Sequence, residues 1–348
     1  MLSPSGKIQK SGHSYWMRLE NLLALTHANL QSDPCVSNFE NIIFNVNKVN
    51  RGDLFIAKNT EDIPEAIKNG AYGIFYESST EILDNEIAWI QTANIDEALK
   101  KLLRFRLIEK EVIAYECNEI ALKLAMNCIT DSHFVVIYGN TEELFKKLWH
   151  IENRSTLLFS PTLNDQKLFA NKKPAPSTSA QEITVIEKTL FETSFIYENK
   201  YYERQLISPF FIPYLEELFN IFKSLKINYK LKKLTSIEHF EAVFTNKNFE
   251  IKEFGTSNNV LIFESNINLM EVEINYLQNH ATWANIIYIL PQNTSLKANA
   301  NTFIYKDKSE ILDILKENKF NFAFIAGVDK TILEKKEEKQ TGQLTLEF

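Results

Sequence analysis

The residues best placed to do chemistry lie at 135–148, VVIYGNTEELFKKL. The stretch reads as a buried strand, a turn at Gly139-Asn140-Thr141, and an amphipathic helix beginning near Glu142. That is the layout of a phosphate cradle, because unpaired backbone N–H groups and the positive end of the helix dipole converge there. A working loop continues with a glycine and a lysine for the phosphates, then a Ser or Thr for magnesium. Here those places hold Glu142, Glu143 and Leu144. With Glu143 where a lysine would neutralise a triphosphate, two like charges about 4 Å apart repel by roughly 1–4 kcal/mol. Leu144 offers no oxygen to a metal. The expectation is a vestigial loop kept for packing, with no catalytic residue, no bound nucleotide and no metal.

A second candidate is Glu264-Ser265, at the end of the apolar run NVLIFE. Open α/β sheets hold ligands at strand ends of this kind. The competing reading is that Ser265 or Asn266 caps the helix that follows. His133, His150, His239 and His280 have no partner at ligand spacing and read as surface or satisfied-core residues. Cys35, Cys117 and Cys128 form no CxxC pair, so neither a structural disulfide nor a zinc site is expected, and a reducing cytoplasm fits.

Composition narrows the classes further. The 348 residues carry a net charge of −7, which argues against a general nucleic-acid binder. Nine glycines are under half the roughly 7% average, which weakens the case for a backbone-cradled nucleotide. No apolar run reaches membrane-spanning length. Residues 1–16 lack the apolar core of a signal peptide; they are expected to be a disordered extension, with Met17 as an alternative start.

The elements that must position these residues follow from periodicity. A helix over MRLENLLALTHA precedes short strands at NIIFNV, DLFIA, YGIFYE and IAWIQT, with helices IPEAIKNG and NIDEALKKLLRFRL between and after them. The second of these helices is capped by Asn94 or Asp96. The middle is less regular, with a break at NKKPAPSTSAQE and a long apolar helix at PFFIPYLEELFNIFKSL. The last third alternates strand and helix, which predicts a mostly parallel, Rossmann-like sheet.

Several of these stretches resemble the Mur ligases. FNVNKVNRGDLFIA, AIKNGAYGIFYE and IDEALKKLLRF look like the family's N-terminal domain, and the nearest member by these motifs is UDP-N-acetylmuramoyl-tripeptide:D-alanyl-D-alanine ligase. The family's Gly-Asp-x-Phe is kept as Gly52-Asp53-Leu54-Phe55, and its Lys-Gly-Ala is matched by Asn69-Gly70-Ala71. Its Asp-Ser-Arg place reads Asn45-Val46-Asn47, and its Asp-Gly-His loop is shortened to KNTEDIP. The Gly139 turn falls where the family has its ATP loop, and Glu264-Ser265 where it has Asp-Asp-Ser. The resemblance thus implies an α/β protein in consecutive parts: a Mur-ligase-like N-terminal domain over 17–107, a reduced central domain over 108–235, and a Rossmann-like C-terminal domain over 236–335. It implies Asn45, Asn47, Asp53, Glu264 and Ser265 as substrate-binding candidates, with UDP-sugar-peptides held weakly.

The tail 336–348 is expected to be flexible. After a charged spacer it ends in QLTLEF, in which Gln343, Leu344, Leu346 and Phe348 have the spacing of the short peptide by which bacterial proteins grip the sliding clamp of DNA polymerase. The competing reading is an edge strand docked on the chain's own sheet. Taken together, the sequence predicts a catalytically inactive, cytoplasmic, bacterial Mur ligase homologue. It would serve as a binding or scaffold protein linked to peptidoglycan precursors, with a protein partner and neither membrane nor direct nucleic-acid contact. The alternatives are a divergent ligase using ATP and magnesium to add D-Ala-D-Ala to UDP-MurNAc-tripeptide, and a clamp-associated protein acting through its tail.

Overall fold

The computed structural model of the protein describes residues 17–177, 182–235, 237–257, 259–292, 294 and 301–333. The extension 1–16 and the tail residues Gln343, Leu344, Leu346 and Phe348 lie outside the described residues. The helices are α1 (Leu19–Thr26), α2 (Ile63–Lys68), α3 (Ile95–Glu109), α4 (Glu119–Ala125), α5 (Thr141–Leu148), α6 (Ile212–Leu225), α7 (Met270–His280) and α8 (Glu310–Glu317). They alternate with mostly parallel strands, so the α/β class expected from the sequence is the class observed. Among the described residues, no helix is long and apolar enough to cross a membrane.

Two compact units divide the chain, each built from two separate segments: Met1–Glu116 with Ser132–Pro174, and Cys117–Asp131 with Ala175–Phe348. The segment 108–235, read from the sequence as one central domain, is shared between them. Strand pairing across long separations is the cause. Ile113–Glu116 pairs with Thr156–Phe159 and Lys172–Pro174 in the first unit, while Cys128–Thr130 pairs with Tyr229–Leu231 in the second.

Besides the antiparallel pair Met17–Arg18 with Asn38–Phe39, the first unit holds two larger sheets. One runs Asn29–Leu30, Ala88–Gln91, Gly73–Tyr76, Leu54–Ala57, Ile42–Ile43, and only its Asn29–Leu30 edge is antiparallel. The strand LFIA is buried at all four positions, as expected when both faces of a parallel strand are covered. The other sheet is wholly parallel: Phe134–Val136, Thr156–Phe159, Ile113–Glu116, Lys172–Pro174. Between them α3 buries Ile95, Leu99, Leu102, Leu103 and Leu107, an apolar stripe at helical spacing. Each such leucine contributes about 1.5–3 kcal/mol through burial. The start of α3 is fixed by Asn94, whose Oδ1 accepts the Glu97 N–H at 2.8 Å. Asp96, the other candidate, does not cap it.

The second unit is built on a five-stranded sheet in the order Glu241–Thr245, Asn259–Glu264, Phe322–Ala326, Ile286–Pro291, Thr302–Tyr305. It is parallel apart from its Glu241–Thr245 edge. A three-stranded antiparallel sheet (Thr184–Lys188, Thr193–Tyr197, Lys200–Gln205) and α6 complete it. The aromatics of these segments form core: Tyr197 stacks on Phe219 at 4.2 Å between ring centres, and Phe222 lies 4.6 Å from Tyr229. Helix α4 is buried at all seven positions and packs on α6.

Candidate functional site

The turn before α5 has the geometry that its sequence suggests, with two of its donors, the N–H groups of Asn140 and Glu143, already used. Gly139 sits at φ +118°, a conformation open to glycine, and a Cβ there would collide with the Glu143 carboxylate. That carboxylate folds back over the turn and accepts the Asn140 N–H at 2.9 Å, while Asn140 Oδ1 accepts the Glu143 N–H at 3.1 Å. The two form a reciprocal capping box at the head of the helix. Thr141 is the first residue of α5. Glu143 therefore places its own negative charge where a phosphate would sit, and the helix dipole stabilises it there.

Neighbouring charges are committed as well. A cleft of about 420 Å³ opens beside the turn, lined among others by Lys58, Lys100, Asp96, Asn140, Asn164 and Asp165. Lys58 is held 2.9 Å from Glu142, which also pairs with Lys146. Partial burial pushes the Glu142 carboxyl up, and the two lysines outweigh it and hold the group below its ordinary range. Lys100 is shared between Glu97 at 2.9 Å and Asp165 at 3.4 Å. Leu144, at the place of a magnesium-binding hydroxyl, is buried. Around the turn the Asn140 N–H is thus taken, both lining lysines have carboxylate partners, and a leucine stands at the metal place.

The candidates near residue 50 serve the backbone. Asn45 Oδ1 accepts the Asn47 N–H at 3.0 Å and closes the turn Val46–Lys48; both asparagines are exposed. Asp53 is fully buried, with Oδ1 accepting from Asn41 Nδ2 and Oδ2 from the Asn50 N–H, each at 2.9 Å. Both its oxygens thus tie the 41–53 loop to the strand that follows.

In the second unit Glu264 belongs to a buried network whose other members the sequence reading did not gather. His239 Nδ1 lies 2.9 Å from Glu264 Oε1, and its Nε2 lies 3.1 Å from Glu119 Oε1, a close ion pair rather than an aligned hydrogen bond. Glu264 also accepts the backbone N–H of Phe240 at 3.1 Å and of Asn266 at 2.6 Å. Lys123 lies 3.9 Å from Glu119 and 3.3 Å from Glu238. Asn266 Nδ2 donates to Glu119 Oε2 at 2.9 Å. Burial alone would lower the His239 imidazole; its two carboxylates outweigh that and raise it. Glu273, fully buried against Glu264, is pushed well above the ordinary carboxylate range by burial and by that neighbour. Ser265 is exposed beside this network, and Asn266 caps the turn Ile267–Leu269 that leads into α7. Positions 119, 239, 264 and 273 share no local spacing. The one signal available in sequence was a glutamate ending an otherwise apolar strand, which must find a buried partner.

The protein is thus an α/β chain on parallel sheets, with a self-capped phosphate-type turn in one unit and a buried acid–imidazole network in the other. No family model matches the sequence, and no curated protein matches it. Among solved structures, the chain is similar to MurF from Acinetobacter baumannii at a TM-score of 0.49 and 9% identity, over 94% of this chain and 99% of that one. It is similar to the MurF ligase from Thermotoga maritima in complex with ADP at 0.48 and 11%, over 86% and 98%. A UDP-N-acetylmuramoyl-L-alanyl-D-glutamate–2,6-diaminopimelate ligase follows at 0.34 and 7%, over 95% and 100%.

Proposed function

We propose that the chain is a non-catalytic relative of the Mur ligases, a binding or scaffold protein linked to peptidoglycan precursors. The observation that carries this reading is the Glu143 carboxylate folded over the turn and accepting the N–H of Asn140, one of the donors a phosphate would use. A ligand phosphate would have to displace that carboxylate, meet Asp96 and Asp165 along the cleft, and find Lys58 and Lys100 already paired. Amide-bond formation driven by ATP depends on cations neutralising the transferring phosphoryl group. The family relation itself rests on Gly52-Asp53-Leu54-Phe55 and the stretches around it.

Calorimetric titration with ATP and magnesium tests the proposal, alongside an assay for amide formation from the UDP-tripeptide and D-Ala-D-Ala. No binding below about millimolar and no product are expected. Micromolar ATP binding or measurable amide product would replace this reading with that of a divergent ligase.

A further inference from the structure

On a chain of net charge −7, one groove of the first unit is basic. It measures about 480 Å³ and runs between α3 and residues 165–172. Lys101 and Arg104 enter it from successive turns of α3, Lys167 from the turn Gln166–Leu168, and Lys172 from the edge strand Lys172–Pro174. Leu168 and Phe169, both buried, form part of its wall. Arg104 is held by a hydrogen bond from Nη1 to the Lys167 carbonyl at 2.5 Å, and Lys172 Nζ donates to Gln166 Oε1 at 3.3 Å. Lys100 is different: it is paired with both Glu97 and Asp165, a trio with one negative charge in excess, and Lys100 and Asp165 also line the Gly139 cleft.

Among the described residues, the side chains of Lys101, Arg104, Lys167 and Lys172 form no close ion pair, although Asp165 accepts the Lys167 N–H at 2.9 Å and feels its charge. Four like charges gathered around one concavity repel one another unless an anion is present. Their arrangement also selects the anion. They converge from three chain segments on a bounded groove, which suits compact charge; a nucleic acid or an extended acidic peptide needs a longer track of cations. The guanidinium of Arg104 adds the planar fork that matches phosphate oxygens.

We infer that this groove is a binding site for a compact polyanion carrying two or more adjacent phosphoryl groups. The site adjoins the Gly139 cleft across Lys100, Asp165 and Leu168 but does not include the turn itself, and it is independent of whether that turn binds ATP.

The test titrates the full chain with orthophosphate, pyrophosphate and tripolyphosphate at low ionic strength, with a duplex oligonucleotide and an oligoglutamate peptide as competing ligands. Affinity should rise with the number of phosphoryl groups, and Lys101→Glu with Lys172→Glu should weaken tripolyphosphate at least tenfold. Both positions are exposed, so the melting temperature of this double variant should stay at the parent value. Lys58→Gln, which alters the Gly139 cleft alone, should leave tripolyphosphate binding unchanged. The inference is overturned if tripolyphosphate does not bind, if either macromolecular probe binds more tightly, or if the loss follows Lys58 and spares Lys101 and Lys172. That last result would instead place the anion at the turn and count against the non-catalytic reading.

Discussion

Glu143 shows how one side chain changes the use of a common turn. In a phosphate loop the helix N-terminus waits for an external anion; here the helix carries its own. Removing the cap by Asn140→Ala should cost about 1 kcal/mol, and thermal denaturation should show a drop of about 2–4 °C. Glu143→Gln should be close to neutral, because an amide can complete the same box. His239 is held more tightly. His239→Ala leaves Glu119 and Glu264 buried with too little positive charge, a loss of about 3–5 kcal/mol. The pH dependence has a definite sign. The folded imidazole has a raised pKa, so its contribution is complete below its unfolded value of about 6.5 and is lost as pH rises through the folded value. Glu273, raised for its own reasons, acts in the same direction, since the folded state binds its proton more tightly than the unfolded chain does. Melting curves from pH 6 to pH 9 should fall on the alkaline side. The fall should be shallower in His239→Gln, and an equally steep fall there would remove His239 as the cause.

At the scale of elements, what could be read in advance was whatever repeats locally. Helix α3 with its leucine stripe follows from spacing alone, as does the buried strand LFIA, while the choice of Asn94 over Asp96 as the helix cap does not. The turn at Gly139 was legible for the same reason, since strand, glycine and capping residues are consecutive. The buried network was not: Glu119 and Glu264 meet at His239 across more than a hundred residues, and nothing in either neighbourhood marks the other. Asp53 invited a ligand-binding reading from its motif, yet its two backbone-ordering bonds are visible only once the 41–53 loop is closed. The tail remains a proposal from its residues. Removing 343–348 should leave the melting temperature unchanged while abolishing binding to a partner groove, with the sliding clamp as the first partner to assay by surface plasmon resonance. A fall of several degrees would make the segment part of the fold.

For the whole molecule, the consequential feature is that neither unit is one continuous piece of chain. A fragment spanning 17–174 contains all the described residues of the first unit, together with 117–131, which belongs to the second. Ile120, Leu122 and Leu124 are completely buried in the intact protein and would be bare in that fragment. The fragment should aggregate, whereas the same fragment with 117–131 replaced by a short Gly/Ser linker should be soluble and unfold cooperatively. Size-exclusion chromatography with circular dichroism would separate the two outcomes, and equal solubility would mean that α4 needs no cover. The same threading sets a timetable for biosynthesis. Helix α4 leaves the ribosome about a hundred residues before the end of α6, on which it packs, has been made. At ordinary rates of translation that is an interval of roughly 5–20 s. During it the first unit can close around its own sheets, while a helix that buries Ile120, Leu122 and Leu124 in the finished protein waits with nothing to cover it. Slowing translation between codons 126 and 225 should therefore lengthen the exposure of one known segment and raise the demand for chaperones there.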